Sequence, residues 1–371
     1  MKIISVVGAR PNFMKIAPIV RAIKKHGGIH HILVHTGQHY DYEMSGSFFK
    51  ELGIPHPDIN LEIGSASHAR QAGLIMMEFE KVLLKEKPDV VIVVGDVNST
   101  MACSLVATKL GIAVAHVEAG LRSFDRNMPE EINRLVTDSV ADILFTTSLD
   151  ANIHLRHEGI LPQRIFFVGN VMIDTLLNSL TKARKTKILE RMGLQKETYT
   201  LVTLHRPSNV DDKNDLSRIM QALGEIQKSI KVIFPVHPRT KNNIQKYYSA
   251  SQLKKWKNLQ LIEPLGYFDF LNLMSYAKVV LTDSGGIQEE TTVLGIPCLT
   301  LRNNTERPVT ITQGTNILVG TDKKRIIRES QKILQGKIKN GQRPKYWDGN
   351  ASQRIVQILV KLYQQKQLRR V

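Results

Sequence analysis

Short apolar runs of β-forming residues alternate with helical stretches along nearly the whole chain. A strand, a helix and a second strand in succession favour a parallel sheet with helices on both faces. In the first half the pattern predicts strands over 2–7, 31–36, 89–94, 112–117, 143–147 and 165–168. Helices are expected over 12–26, 41–53, 68–87, 98–110, 129–140 and 149–158. Near residue 170 the alternation breaks, and the charged, weakly periodic stretch 181–198 reads as a surface helix at a domain boundary. A second series follows, with strands over 200–204, 231–236, 259–262, 279–282, 297–301 and 316–319 separated by helices. The closing run 350–369 is amphipathic, with Ile355, Leu359 and Leu362 on one face. A length of 371 residues accommodates two cores. The expectation is an α/β protein of two doubly wound Rossmann-like domains, 1–170 and 171–351. Ligand is expected in the cleft between their strand ends.

Composition narrows the function classes. No apolar run approaches the roughly 18 residues of a membrane-spanning helix, so no membrane partner is expected. The opening Met1-Lys2-Ile3-Ile4-Ser5-Val6-Val7 reads as a first strand and is too short for a signal peptide. The two cysteines, Cys103 and Cys298, lie in apolar contexts and suit buried thiols in a reducing, cytoplasmic compartment. No Cys/His cluster has zinc spacing, and no metal is expected. The formal net charge is +17, which raises nucleic acid as a partner. The lysines are spread out, however, without a zinc finger, an aromatic RNA-binding motif or a basic heptad region. A solvated basic surface is the reading, with no nucleic acid.

One turn stands out. Thr282-Asp283-Ser284-Gly285-Gly286-Ile287-Gln288-Glu289-Glu290 follows the apolar run Val279-Val280-Leu281 and starts a helix. Two glycines at a helix start leave their N–H groups open to a ligand, and the helix dipole adds about half a positive charge there. That suits a phosphate. An acid one turn later suits a ribose diol, so the stretch reads as a nucleotide diphosphate seat. A merely capped helix with acidic first-turn residues is the plainer alternative. The first turn, Val7-Gly8-Ala9-Arg10-Pro11, is not G-x-G-x-x-G, and no P-loop occurs. Hydride-transfer enzymes and NTPases are thereby disfavoured.

Other expected strand ends also carry chemistry. They are Arg10 with Lys15; His35-Thr36-Gly37-Gln38-His39; Gly95-Asp96; His116-Val117-Glu118-Ala119-Gly120-Leu121-Arg122; His205-Arg206; and His237-Pro238-Arg239. Pro129-Glu130-Glu131-Ile132-Asn133-Arg134 is a helix start, with Arg134 four residues past Glu130 on the same face. Taken singly, each has a bland reading as a cap, a core histidine or a surface pair.

In combination these motifs, with Thr305-Glu306-Arg307-Pro308, resemble the non-hydrolysing UDP-N-acetylglucosamine 2-epimerases over nearly the whole chain. The resemblance implies a glycosyltransferase-B architecture whose last helix, 352–371, packs back on the first domain. It implies a homodimer, no cofactor, and interconversion of UDP-GlcNAc and UDP-ManNAc, supplying ManNAc units for cell-surface polysaccharide. In the family route a base takes the C2 proton while UDP leaves C1. UDP then adds back to 2-acetamidoglucal, and C2 is reprotonated from the other face. Position by position, Asp96, Glu118, Glu130 and His205 match catalytic residues, and Arg134 and Glu131 supporting ones. Arg10, Lys15, His237, Phe270, Ser284, Gly285, Gly286, Glu290 and Arg307 match substrate- or UDP-binding positions. Gln38, Arg70 and Arg206, with His237, match candidates for an allosteric UDP-GlcNAc site. This chain has His205-Arg206-Pro207-Ser208-Asn209 where many bacterial members have His-Arg-Arg-Glu-Asn, a departure that bears on activation. Epimerisation of a UDP-diacetamido-uronate and a glycosyltransferase of the same fold are the alternative activities.

Overall fold

A computed structural model describes residues 1–37, 53 and 56–369, with the Arg10 side chain left out. The chain divides into two compact units, Met1–Asn178 with Lys345–Val371, and Ser179–Pro344.

The first unit holds a seven-stranded parallel sheet in the order β3-β2-β1-β4-β5-β6-β7. Its strands are Lys2–Val7, His30–His35, Ile59–Asn60, Val90–Val94, Ala113–Ala119, Ile143–Thr146 and Ile165–Phe167, numbered β1 to β7. β4 (Val-Val-Ile-Val-Val) and β5 (Ala-Val-Ala-His-Val-Glu-Ala) are buried at every residue, as a parallel sheet covered on both faces requires. The second unit holds a six-stranded parallel sheet in the order β10-β9-β8-β11-β12-β13. Its strands are Tyr199–Thr203, Lys231–Pro235, Leu259–Ile262, Val279–Thr282, Cys298–Thr300 and Asn316–Leu318, numbered β8 to β13. Both sheets start in the middle, wind to one edge, then return and wind to the other. Their topological switch points fall between β1 and β4, and between β8 and β11. Loops that leave neighbouring strands in opposite directions open a crevice there.

The strands read from the apolar runs recur within about two residues at each end. The two-residue β3 has no counterpart in that reading, because so short an edge strand leaves no pattern. The expected helix 41–53 lies outside the described residues apart from Gly53. The stretch 181–198 is not one helix. Val171–Ala183 is a helix that starts directly after β7, and Ile188–Arg191 is a single separate turn. The apolar residues of 171–180 were the signal that the charge of the following stretch masked.

The C-terminal segment belongs to the first unit, where the helix Ala351–Gln364 packs on Arg10–His26. Ile355, Val356 and Leu359 are buried. Asp174 accepts hydrogen bonds from Ala351 N at 3.1 Å and Ser352 N at 2.7 Å, so a distant carboxylate satisfies two N–H groups of that helix start. Trp347 is fully buried and donates to the Thr147 carbonyl at 2.8 Å. Cys103 and Cys298 are both buried free thiols. No helix among the described residues is long and apolar enough to cross a membrane.

Candidate active site

In the first unit the chemistry gathers around the β1/β4 switch point. β1 runs into the helix Arg10–His26, whose start is tied to β4 through Asn12. The Asn12 side chain accepts from Ala9 N at 2.9 Å and donates to the Val94 carbonyl at 2.9 Å. Lys15, one turn further, is buried and forms an ion pair with Glu118. Glu118 lies at the bulged end of β5 with φ of 77°, a left-handed backbone rare for a non-glycine residue. The bulge re-aims this side chain out of the regular alternation of the strand.

β4 ends at Gly95 and Asp96, and Asp96 pairs with Arg134. The same guanidinium donates from Nε to Glu131 Oε2 at 3.0 Å. Arg134 thus bridges Asp96 and Glu131, not Glu130 as the four-residue spacing predicts. Glu131 is buried and also accepts from Ser123 N at 3.0 Å and Phe124 N at 2.9 Å. Burial opposes its ionisation. The Ser123 N–H, Arg134 and the Phe124 N–H outweigh burial and hold its pKa below the usual range. Glu130 is exposed and has no hydrogen-bond or ion-pair partner among the described residues.

Behind these groups lies a network of which the sequence reading named His116 and Arg122 but not Asp138 or Glu158. His116 Nδ1 lies 2.6 Å from Asp138 Oδ1, while its Nε2 donates to the Gly95 carbonyl at 2.9 Å. Asp138 also pairs with Arg122 at 2.7 Å and accepts from Gly120 N at 3.0 Å. Arg122 is buried, not a surface residue, and its second partner is Glu158 at 2.5 Å. The network joins the turns after β4 and β5. Asp138 could not be picked out in advance, because it sits in the last turn of the helix Pro129–Val140 in an unremarkable stretch. Arg70 is exposed on the helix His68–Glu86, and Gln38 lies outside the described residues.

In the second unit the groups converge at the β8/β11 switch point. Asp283 is completely buried at the end of β11. It accepts from Arg206 N at 3.0 Å, from Asn209 Nδ2 at 3.2 Å and from His205 N, and meets His205 Nδ1 at 2.9 Å. Burial would raise its pKa, but His205 and the N–H groups of Arg206 and His205 bring it below the usual carboxylate value. An ionised Asp283 accepts a hydrogen bond from Nδ1–H, which fixes the tautomer that leaves Nε2 of the half-exposed His205 ring as an acceptor. The motif contained Asp283, but its orienting contact spans 78 residues and is invisible locally. Arg206 donates from Nε to the Asp283 carbonyl at 3.1 Å. His237 is exposed before the helix Pro238–Tyr247 and accepts from Arg239 N at 3.3 Å. Burial, then His205 and Arg239, lower its pKa.

Ser284 precedes the helix Gly285–Leu294, and its hydroxyl does not cap it. A Cβ on Gly285 would lie 2.5 Å from a guanidinium nitrogen of Arg307, so the glycine makes room for that arginine. Arg307 is held by Glu289, which accepts from Nε at 2.7 Å, and by Glu306. Glu306 also meets Arg302 at 2.8 Å and Arg206 at 3.5 Å. Three arginines around one carboxylate at a helix start make a cationic seat for an anion. Gly286 is half-buried beside it. Glu290, one turn on, is buried, and Tyr267 donates to its Oε1 at 3.0 Å. Burial and the neighbouring Glu289 push the Glu290 carboxyl up to about 7 against the opposing pull of Tyr267. Phe270 is half-buried on the helix Tyr267–Ser275, which also carries Tyr267. No cluster of three or more His, Cys, Asp or Glu among the described residues has the arrangement of a metal site.

The arrangement offers an anion seat with a buried diol-sized acceptor in one unit. In the other it offers carboxylates held by cations.

Comparison with known proteins adds an independent line. A family model described as UDP-N-acetylglucosamine 2-epimerase matches residues 21–360. A protein of Methanococcus maripaludis named UDP-N-acetylglucosamine 2-epimerase homolog is 49% identical over 361 residues, which is 97% of this chain and 99% of that protein. The crystal structure of the Methanocaldococcus jannaschii UDP-GlcNAc 2-epimerase in complex with UDP-GlcNAc and UDP superposes with a TM-score of 0.88 at 46% identity. It covers 97% of this chain and 100% of that one. The UDP-2,3-diacetamido-2,3-dideoxy-D-glucuronate 2-epimerase of Pseudomonas aeruginosa is 43% identical over 98% of this chain and 100% of its own.

Proposed function

The chain belongs to the UDP-N-acetylglucosamine 2-epimerase family, and from that premise we propose that it is an isomerase interconverting UDP-GlcNAc and UDP-ManNAc. The carrying observation is the pair of carboxylates at the neighbouring ends of β4 and β5. Asp96 is held by Arg134, and Glu118 by Lys15. The C2 proton of the sugar has no adjacent carbonyl and is not acidic, so direct deprotonation is too slow. Departure of UDP from C1 as a base removes the C2 proton converts the inversion into an elimination. The electron pair of the C2–H bond becomes the C1–C2 double bond of 2-acetamidoglucal, and UDP carries away the C1–O pair. Re-addition reverses these steps, with the proton delivered to the opposite face of C2.

Asp96, Glu118 and Glu130 share the acid and base roles, and His205, oriented by Asp283, adds a further proton-transfer group. The arginines about Glu306 and the start of the helix Gly285–Leu294 take the diphosphate as its charge develops. Glu290 takes the ribose hydroxyls, and Phe270 and His237 complete the nucleotide contacts. In this reading the enzyme works as a homodimer in the cytoplasm and supplies ManNAc units for cell-surface polysaccharide.

The test is proton NMR of UDP-GlcNAc with the enzyme in D2O, with the UDP-diacetamido-uronate run in parallel. UDP-ManNAc is expected to carry deuterium at C2, and recovered UDP-GlcNAc to gain it with time. Protium retained at C2 of the epimerised product would overturn the elimination route. Turnover of the uronate alone would transfer the activity to that substrate.

A further inference from the structure

Glu290 is the most deeply buried acid that the proposed reading gives to the nucleotide, and one of its oxygens is already occupied. Tyr267 Oη donates to Oε1 at 3.0 Å, and both side chains are buried. Oε2 is bonded by none of the described residues. We propose, on the reading that Glu290 meets the ribose, that Tyr267 is a positioning residue. It anchors one oxygen of Glu290 and favours the carboxylate whose other oxygen takes a sugar hydroxyl, and nucleotide binding completes that ionisation by releasing a proton. Hydroxyl donors bind a carboxylate more strongly than a carboxylic acid, and the ligand therefore draws Glu290 toward its ionised form.

The charged surroundings isolate Glu290 as the group that titrates. Of the elements packed against its helix, β11, β13 and Val309–Thr312 carry no titratable side chain, and β12 carries only the Cys298 thiol. The helix Tyr267–Ser275 carries Tyr267 and also Asp269, which is paired with Arg191 at 2.5 Å. On the helix itself, Glu289 is tied to Arg307, and Arg307 to Glu306. Burial and then Glu289 raise the Glu290 carboxyl, while the Tyr267 hydrogen bond lowers it, to a net value of about 7. The sign follows. Below that value Glu290 is protonated in the empty site and must lose a proton on binding, so affinity falls with acid. Above it the carboxylate is already formed and affinity levels off. A histidine such as His237 gaining charge would strengthen phosphate binding in acid, the opposite slope.

The test is titration calorimetry of UDP-GlcNAc between pH 6 and 9, in buffers of different ionisation enthalpy. The sugar nucleotide is chosen because UDP alone has a terminal phosphate that titrates near 6. For the unmodified protein, affinity at pH 6 is expected to be about tenfold weaker than at pH 8, with proton release that vanishes above pH 8. Tyr267→Phe keeps the ring and removes the donor. It should move the midpoint upward, weaken binding at pH 7 several-fold, and recover by pH 9. Glu290→Gln should bind weakly without this pH dependence. If Glu290→Gln binds as tightly as the unmodified protein at pH 8, the ribose assignment itself is wrong. If Glu290→Gln is weakened while Tyr267→Phe follows the unmodified curve, or is weaker by the same factor at every pH, the positioning role is overturned and Tyr267 only fills space.

Discussion

Glu130 and Glu131 are adjacent acids in one helical turn, and the fold gives them opposite fates. Glu131 is buried with an arginine, two backbone N–H groups and the Ser123 hydroxyl around it. Glu130 is exposed, without a hydrogen-bond or ion-pair partner among the described residues. Removing the charge of Glu131 leaves the buried side of Arg134 poorly compensated, a loss of about 3–5 kcal/mol for a broken buried pair. Glu131→Gln should therefore lower the melting temperature clearly. Glu130→Gln should leave it nearly unchanged and cut turnover by about 10²–10⁴-fold if that carboxylate transfers a proton. Thermal melts paired with kcat separate the two. A Glu130→Gln variant with full turnover removes this residue from the proton chemistry. A Glu131→Gln variant with an unshifted melt contradicts the buried network.

At the scale of the element, the start of the helix Gly285–Leu294 depends on what Gly285 lacks. From sequence alone, the glycine pair reads as clearance for phosphate. The structure shows that clearance at Gly285 serves Arg307, whose guanidinium lies 2.5 Å from the position of a Cβ. Gly285→Ala is expected to push Arg307 off Glu289 and Glu306. Charge-assisted hydrogen bonds contribute roughly 1.5–3 kcal/mol each, so losing one such contact to the diphosphate weakens UDP by about 10–100-fold. Calorimetry with UDP measures this. Undiminished affinity in the folded variant would place the nucleotide away from this helix. Glu118 shows the same principle in a strand, where a bulge at the end of β5 and a left-handed backbone turn one side chain toward Lys15.

On the scale of the whole molecule, the last residues of the chain complete the first unit. Trp347, Asp174 and the helix Ala351–Gln364 form one attachment, through the Thr147 carbonyl and the two N–H groups that Asp174 receives. Gly169 is part of it, because a Cβ there would lie 2.0 Å from the Tyr346 carbonyl oxygen. Trp347→Ala removes the largest fully buried side chain among the described residues and should cost about 3–5 kcal/mol. The expected result is a lower melting temperature and protease cleavage near residue 345. Unchanged stability and resistance would mean that the C-terminal helix is not held by this anchor.

The sequence by itself determined most of the strands and marked the strand ends that carry charged and glycine-rich residues. Apolar runs, glycines and helix starts are local signals, and so Val90–Val94, Asp96 and Ser284-Gly285-Gly286 were legible without a structure. The order of the motifs was enough to place the chain in its family, because a long series of short motifs is far more specific than any one of them. Only the tertiary structure decided which charges meet. Arg134 reaches Asp96 across 38 residues and passes over Glu130, and Asp283 orients His205 across 78. Asp138 acquires its importance from Arg122, His116 and the Gly120 N–H, none of them near it in sequence. The physical reason is that strand order brings β1 beside β4 and β8 beside β11. An ion pair depends on distance in space and on burial, and sequence spacing sets neither beyond a single helical turn.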